Sequence, residues 1–440
     1  MPDPPEDQVA NSTSIFLMIF LNFLSNVVFS IVLPTLPNFL ERVDAPKYLN
    51  GWAVAVNSLG TFLASPVFGW WADKRNFREV FFISLVLMFA SNLWYALCKD
   101  KYQLFAARFI VGVAAANYAP ANSYLSYATS SADRAKIMTW NAASTVLGFI
   151  CGPAFSLLTS LPALSFTAHI GNYELDFDAE TAPGWVSAFF ALCGILCLIP
   201  FKEVKKLQTA ATVNIPKAIT NTSIRSFRSL SMVGKTRIPM KGVLICLFFT
   251  FAFTTAFTIF ETTGPLYTYD AFQYNDFSNS LLFLAISIGS LVALAALQGL
   301  LYFVPDERVL LVTFGLLLTS GLAVLSDYQN GHVSLPRFFG GIALVAVGYA
   351  DGQALLLALF SKLLEEQEQG MMMGWLSSSG SIARMICPVS ASYVYHSFGA
   401  NYIFLCCAAL CFVATMGVLF GWREVDTTKS APQLVPPTTA

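Results

Sequence analysis

Long apolar runs alternate with short polar breaks along the whole chain. They are read at about 15–36, 51–71, 79–98, 102–128, 137–159 and 184–201. After a polar stretch at 202–241 they resume at about 242–266, 279–304, 308–326, 337–361, 370–396 and 400–422. Each approaches the ~20 residues that cross the hydrocarbon core of a bilayer. Backbone groups in lipid must bond within their own segment, so the runs read as helices. Run length and the lack of dyad alternation exclude barrel strands. The expected class is an all-α membrane protein of twelve transmembrane helices. A tail at 1–14 precedes a six-helix bundle at 15–201, and a linker at 202–241 leads to a second bundle at 242–422 and a tail at 423–440.

Composition agrees with this pattern. Of 440 residues, 56% are hydrophobic and 12% charged, against about 25% charged in soluble domains. The net charge of −1 gives no basis for nucleic-acid binding. Most of the nine cysteines lie in apolar runs, and none has the spacing of a zinc site or redox pair. No nucleophile–base order or phosphate loop is found. An enzyme, a cofactor and a metal centre are therefore not expected. Met1–Ala10 lacks the basic start of a cleaved leader, so the first span is expected to be retained.

Lys and Arg resist translocation and set orientation. One side collects Lys74, Arg75, Arg78, Arg134, Lys136, the basic cluster of 202–241, Arg308, Lys362 and Arg423. The other carries Arg42, Lys47, Lys99, Lys101 and Arg337, and an acidic loop with Glu174, Asp176, Asp178 and Glu180. The first side is expected to be cytoplasmic, with both termini and the linker. The acidic loop reads as a solvated face.

The halves repeat weakly. Met138-Thr139-Trp140 answers Met373-Gly374-Trp375, and Pro153 answers Pro388 at the same offset. Asn117-Tyr118-Ala119-Pro120 answers Gly348-Tyr349-Ala350-Asp351. Such parallel repeats point to two pseudo-symmetric bundles with a substrate path between them near mid-membrane.

Several segments resemble the major facilitator superfamily. Gly69, Asp73, Lys74 and Arg75 match its loop between helices 2 and 3, whose charges latch neighbouring helix ends. Arg108 and Gly112 match its Arg-x-x-x-Gly motif. Gly148, Gly152 and Pro153 match its glycine–proline motif, which implies close approach of helices from the two halves. More narrowly, Ala256–Pro265 and Met373–Pro388 resemble the lysosomal neuronal ceroid lipofuscinosis group of that superfamily. Tyr173–Trp185 is similar to the related plant vacuolar phosphate transporters, whose SPX domain has no counterpart here. The resemblance implies an endolysosomal or vacuolar membrane and an anion as cargo: chloride for one branch, phosphate for the other.

Four ionisable side chains fall within the spans: Arg108, Glu261, Asp351 and Arg384. Each costs about 2.5–3.5 kcal/mol or more at the centre of a lone helix, so each needs a partner or a wet cavity. Arg384 and Asp351 lie at similar mid-depth, where a direct ion pair is one reading. The other makes Arg384 an anion site, its guanidinium presenting a fixed donor fork. Glu261 stands beside Pro265, which removes a helical hydrogen bond; a carboxyl there can exchange protons or bond a neighbouring helix. Arg108 is expected to snorkel or to pair with Glu261. Asn26 and Asn117 are candidates for the cavity wall, or for hydrogen bonding between helices. The function expected is movement of a small solute by alternating access, with an anion at Arg384 and proton coupling through Glu261. A channel-like anion conductance in the same fold, or a non-transporting receptor acting through the linker, remain as alternatives.

Overall fold

The computed structural model describes residues 12–45, 49–159, 166–170, 173–203, 239–274, 276–304, 306–326, 333–364 and 369–425. Most of the linker and of both tails expected from the sequence lies outside the described residues. The first half contains α1 (Ser12–Ser30), α2 (Leu36–Arg42), α3 (Leu49–Lys74), α4 (Phe77–Ala96), α5 (Lys101–Ala115), α6 (Tyr118–Ala128), α7 (Ser131–Thr159) and α8 (Ala182–Cys197). The second contains α9 (Met240–Phe272), α10 (Asp276–Phe303), α11 (Glu307–Leu325), α12 (Leu335–Leu363), α13 (Gln369–Phe398) and α14 (Ala400–Phe420).

Among the described residues, nine stretches are long and apolar enough to cross a membrane, with α5 and α6 forming one of them. Three further helices bring the number to six in each half, consistent with the expected twelve. Of these, α8 is apolar but shorter, while α7 and α13 carry the polar side chains that face the centre. The reason α7 and α13 are less apolar is therefore their position and not a soluble character.

Two local departures from the expected spans have clear causes. The first span ends at Ser30; Pro34 lies between it and α2, and Pro37 sits in the first turn of α2. The fourth span breaks at Ala116 and Asn117, because Pro120 has no N–H to give the Ala116 carbonyl. The chain turns there through three-residue bonds, such as that from Ala119 N to Ala116 O. By contrast, α9 runs through Pro265 as one helix.

The loop between α7 and α8 holds an antiparallel hairpin, β1 (Phe166–Ile170) and β2 (Tyr173–Phe177), with Phe166 paired to Phe177. Its acidic end is not simply solvated. Asp176 (2.8 Å), Asp178 and Glu180 (3.1 Å) all bind the Arg42 guanidinium at the end of α2. Burial alone would raise the Asp178 carboxyl. The Thr181 amide, the Arg42 guanidinium and the Glu180 amide outweigh it and hold Asp178 below the ordinary carboxylate range. A depressed acid contributes stability above its unfolded value near 4 and loses it as pH falls through the folded one. The clasp should therefore persist at pH 5. We expect Arg42→Ala to speed hydrogen exchange at the Glu180 and Thr181 amides by up to about 5-fold at pH 5, since exposed pairs give ~0.2–1 kcal/mol. The difference between variant and wild type should vanish near pH 2.

Within each half the helices pack closely at glycines. A Cβ on Gly148 would fall 2.8 Å from Phe23 O, and one on Gly112 would fall 2.8 Å from the Asn57 carbonyl carbon. Gly148 and Gly152 thus seat α7 on α1, both in the first half. Helix α7 also packs on α10 and α12 of the second half, but the glycine contacts between halves are made elsewhere. They occur where α3 meets α13, at Gly69 against Gly370 and at Gly374 against Ser65 and Pro66.

That seam closes the basic face. Asp73 accepts from Gly370 N and Met371 N, 2.8 Å each, and so caps the N-terminus of α13 with a carboxylate. Gln369 N donates to the Tyr127 hydroxyl (3.0 Å), and Ser126 bonds Ser361 across the interface. Further in, Ser378 Oγ donates to Phe62 O (2.8 Å) and Ser65 meets Ser377 at 3.2 Å. Lys74 and Arg75 end α3 beside Asp73.

Candidate functional site

Between the halves lies a cavity of about 250 Å³. Its first-half wall is polar: Asn22, Ser25 and Asn26 of α1, Asn57, Ser58 and Thr61 of α3, and Asn117, Tyr118 and Asn122 at the α5–α6 break. Its second-half wall comes from Thr250 and Thr254 of α9, Tyr349 and Gln353 of α12, and Ser377, Ser381 and Arg384 of α13. The helix α13 can sit centrally because its serines need no partner from solvent. Ser379 Oγ donates to Leu247 O (2.7 Å) and Ser381 Oγ to Ser377 O (3.0 Å).

The asparagines form a directed relay. Asn26 Nδ2 donates to Asn22 Oδ1 (3.1 Å), Asn22 Nδ2 to Asn141 Oδ1 (3.0 Å), and Asn141 Nδ2 to Asn122 Oδ1 (2.8 Å). Asn122, where the relay ends, and Tyr118 both line the cavity. The Asn22 amide nitrogen also lies 3.0 Å from Ser144 Oγ and 2.9 Å from Thr145 Oγ1, its two hydrogens shared among these acceptors. The two sequence readings of these residues therefore coincide: they join helices and line the cavity.

Arg384 is half-buried in the cavity wall. Its guanidinium carbon lies 5.7 Å from the ring centre of Phe29, 5.6 Å from Phe149 and 5.9 Å from Phe257. These rings come from α1, α7 and α9, and Phe257 stacks on Tyr349 at 4.7 Å. The aromatic faces hold the cation in a desolvated setting. Tyr349 is within electrostatic reach of Arg384. None of these four aromatic residues was singled out from the sequence as a site residue. Tyr349 stood only in the repeat, and phenylalanines are too common in such spans for one to stand out.

Glu261 lies one turn beyond Phe257 on α9, half-buried and within electrostatic reach of Arg384, but outside the cavity lining. Asp351 does not form the expected pair with Arg384. Its side chain is buried, and Oδ1 has no hydrogen-bond partner. Ala350 and Gln353 face the cavity, and a step of one residue turns Asp351 about 100° away from Ala350.

Arg108 neither snorkels nor meets Glu261. It is 1% exposed, with Nε and Nη2 unpartnered, and sits near Tyr95 inside the first half. Tyr95 in turn packs edge-on to Phe39 of α2 at 5.0 Å. The side chain points into its own bundle and away from the interface, so no approach to α9 is available. Pro153 and Pro388 lie within α7 and α13 at repeat-related places. Among the described residues no cluster of His, Cys, Asp and Glu has the form of a metal site.

Comparison with known proteins follows this geometry. The model of the Major Facilitator Superfamily matches residues 15–348 and 305–437. The chain is 27% identical to Major facilitator superfamily domain-containing protein 8 of Xenopus laevis, over 89% of this chain and 87% of that one. It is 28% identical to an SPX domain-containing membrane protein of Oryza sativa subsp. indica, over 49% of this chain and 30% of that protein. The crystal structure of the human organic anion transporter MFSD10 (TETRAN) superposes with a TM-score of 0.73 at 20% identity, covering 94% of this chain and all of that one. Proteins of this kind are transporters and not enzymes. From motifs, twelve-crossing architecture and family match together, the chain belongs to the major facilitator superfamily.

Proposed function

We propose that the protein moves a small anion, of the chloride or phosphate class, by alternating access. One observation carries this reading: Arg384 is the ionisable cation in the cavity lining, and no Asp or Glu shares that lining among the described residues. A lone guanidinium in a polar, partly desolvated chamber favours an anion and repels cations. The closed basic face favours a carrier over a continuous pore, since Asp73, Ser65 and Ser377 meet their partners across the route an open channel would need.

Proton coupling is assigned to Glu261, which is half-buried beside the same cation. Protonating it would remove a negative charge within electrostatic reach of Arg384 and strengthen the hold on the anion, and anion release would favour loss of the proton. On the resemblance to the lysosomal and vacuolar groups, we place the protein in an endolysosomal or vacuolar membrane. Microscopy of the tagged full chain tests that placement, and uniform plasma-membrane signal would contradict it.

The transport reading is tested in proteoliposomes with chloride, phosphate, small carboxylates, sugars and amino acids at two internal pH values. Uptake confined to anions is expected. Transport of a neutral sugar with no anion flux would overturn the assignment. Glu261→Gln should leave transport measurable but flatten its dependence on pH; an unchanged profile in that variant removes the coupling role.

A further inference from the structure

The two repeat segments place a tyrosine on each side of the cavity: Tyr118 in the first half and Tyr349 in the second. Both line the same chamber as Arg384, and Tyr349 stacks at 4.7 Å on Phe257, one of the three rings around the guanidinium. Arg384 is a donor with no acceptor, so it cannot take the hydrogen of either phenol. Asn122 lines the wall on the Tyr118 side, its Oδ1 accepting from Asn141 at 2.8 Å.

Asn26, Asn22 and Asn141 each donate toward the next member, so the amides of the polar wall point the same way. Bonds aligned in this manner polarise one another. Beside a cation that cannot accept, both phenols have a hydroxyl hydrogen to offer a bound acceptor. Tyr118, Tyr349 and Arg384 are also within electrostatic reach of one another. The rings of Phe29, Phe149 and Phe257 surround the guanidinium, and the open approach for an acceptor is from the cavity.

We propose that Tyr118 and Tyr349 donate their hydroxyl hydrogens to the anion bound at Arg384, so that the ligand is held by donors from both halves at once. The inference rests on the anion reading above and deepens it. Three convergent donors suit a compact anion with acceptor capacity in several directions, a halide or an oxyanion. An ion so held bridges the two bundles and draws them together over the cavity.

The test uses the full-length protein in detergent at constant ionic strength, balanced with gluconate. Thermal stabilisation is recorded against chloride, inorganic phosphate and acetate. Tyr118→Phe and Tyr349→Phe keep the rings, and with them the packing of Tyr349 on Phe257, while removing the hydroxyls. The half-stabilising concentration should rise about 10-fold or more in each variant, and by about 100-fold in the double variant, as expected for lost bonds to a charged ligand. Arg384→Gln separates the two levels of the claim. If it abolishes stabilisation while both Phe variants match wild type, the tyrosine assignment is wrong and the anion site stands. If Arg384→Gln matches wild type, or none of the three anions stabilises wild type, both fall.

Discussion

Anion flux should be lost in Arg384→Ala, while the protein still folds and inserts. The guanidinium is the cation of the cavity wall, and hydrogen bonds to charged groups are worth about 1.5–3 kcal/mol each. Losing two such bonds lowers the initial rate at subsaturating substrate by about 100-fold or more. The aromatic layer survives the change, because Phe29 packs on Phe149 at 5.7 Å and Phe149 on Phe257 at 6.2 Å without the cation. Arg384→Lys keeps the charge but gives up the planar fork and its stacking on the rings. It should retain a minor fraction of activity, between wild type and alanine. Initial rates in proteoliposomes, normalised to protein inserted, decide the matter. Normal transport by Arg384→Ala would show that the anion binds elsewhere.

The second large effect is expected at Gly374. A Cβ there would stand 2.7 Å from Pro66 Cα, closer than side chains approach backbone. The obstacle is the neighbouring helix itself, so no rotamer change relieves it. Overpacking costs ~1–3 kcal/mol even where side chains can adjust. Gly374→Val should thus shift the equilibrium away from the closed basic face by about 100-fold, an effect of nearly 3 kcal/mol. Transport stalls because one of the two required states is lost. Distances between spin labels at the basic ends of α3 and α13 should lengthen in the variant. Gly417→Val is the control, since a Cβ there meets nothing within 4 Å. Unchanged label distances in Gly374→Val would mean that this seam does not gate the pathway.

The features legible in the sequence are those that rest on periodicity and local chemistry. Apolar runs located the spans, while the central place of α13 and its serines came only with the structure. Asp73 was recognisable from a local motif, and its role needs only the N-terminal amides of α13. Pairings across the bundle were harder to read. Asp351 shares the depth of Arg384, but the direction of a side chain around a helix depends on packing that one sequence does not disclose. Arg108 illustrates the same point, turned inward to Tyr95 and not across to α9. Gly148 and Gly152 announced a close contact, but the motif implied one between the halves, whereas both glycines meet α1 of their own half. The Arg42 clasp joins residues more than a hundred positions apart, and charge pattern alone could only read its carboxylates as solvated. The tyrosines were visible in the repeat, but their place on opposite walls of the Arg384 chamber came from the structure.

The central claim is that an anion occupies the cavity at Arg384, and its most direct measurement is the position of a heavy anion in the protein. Crystals grown in bromide or selenate would be recorded at the absorption edge. The account predicts an anomalous peak inside the cavity, within about 3.5 Å of the Arg384 guanidinium nitrogens. Peaks found only at other places in the bundle, in protein that still transports the same ion, would contradict it.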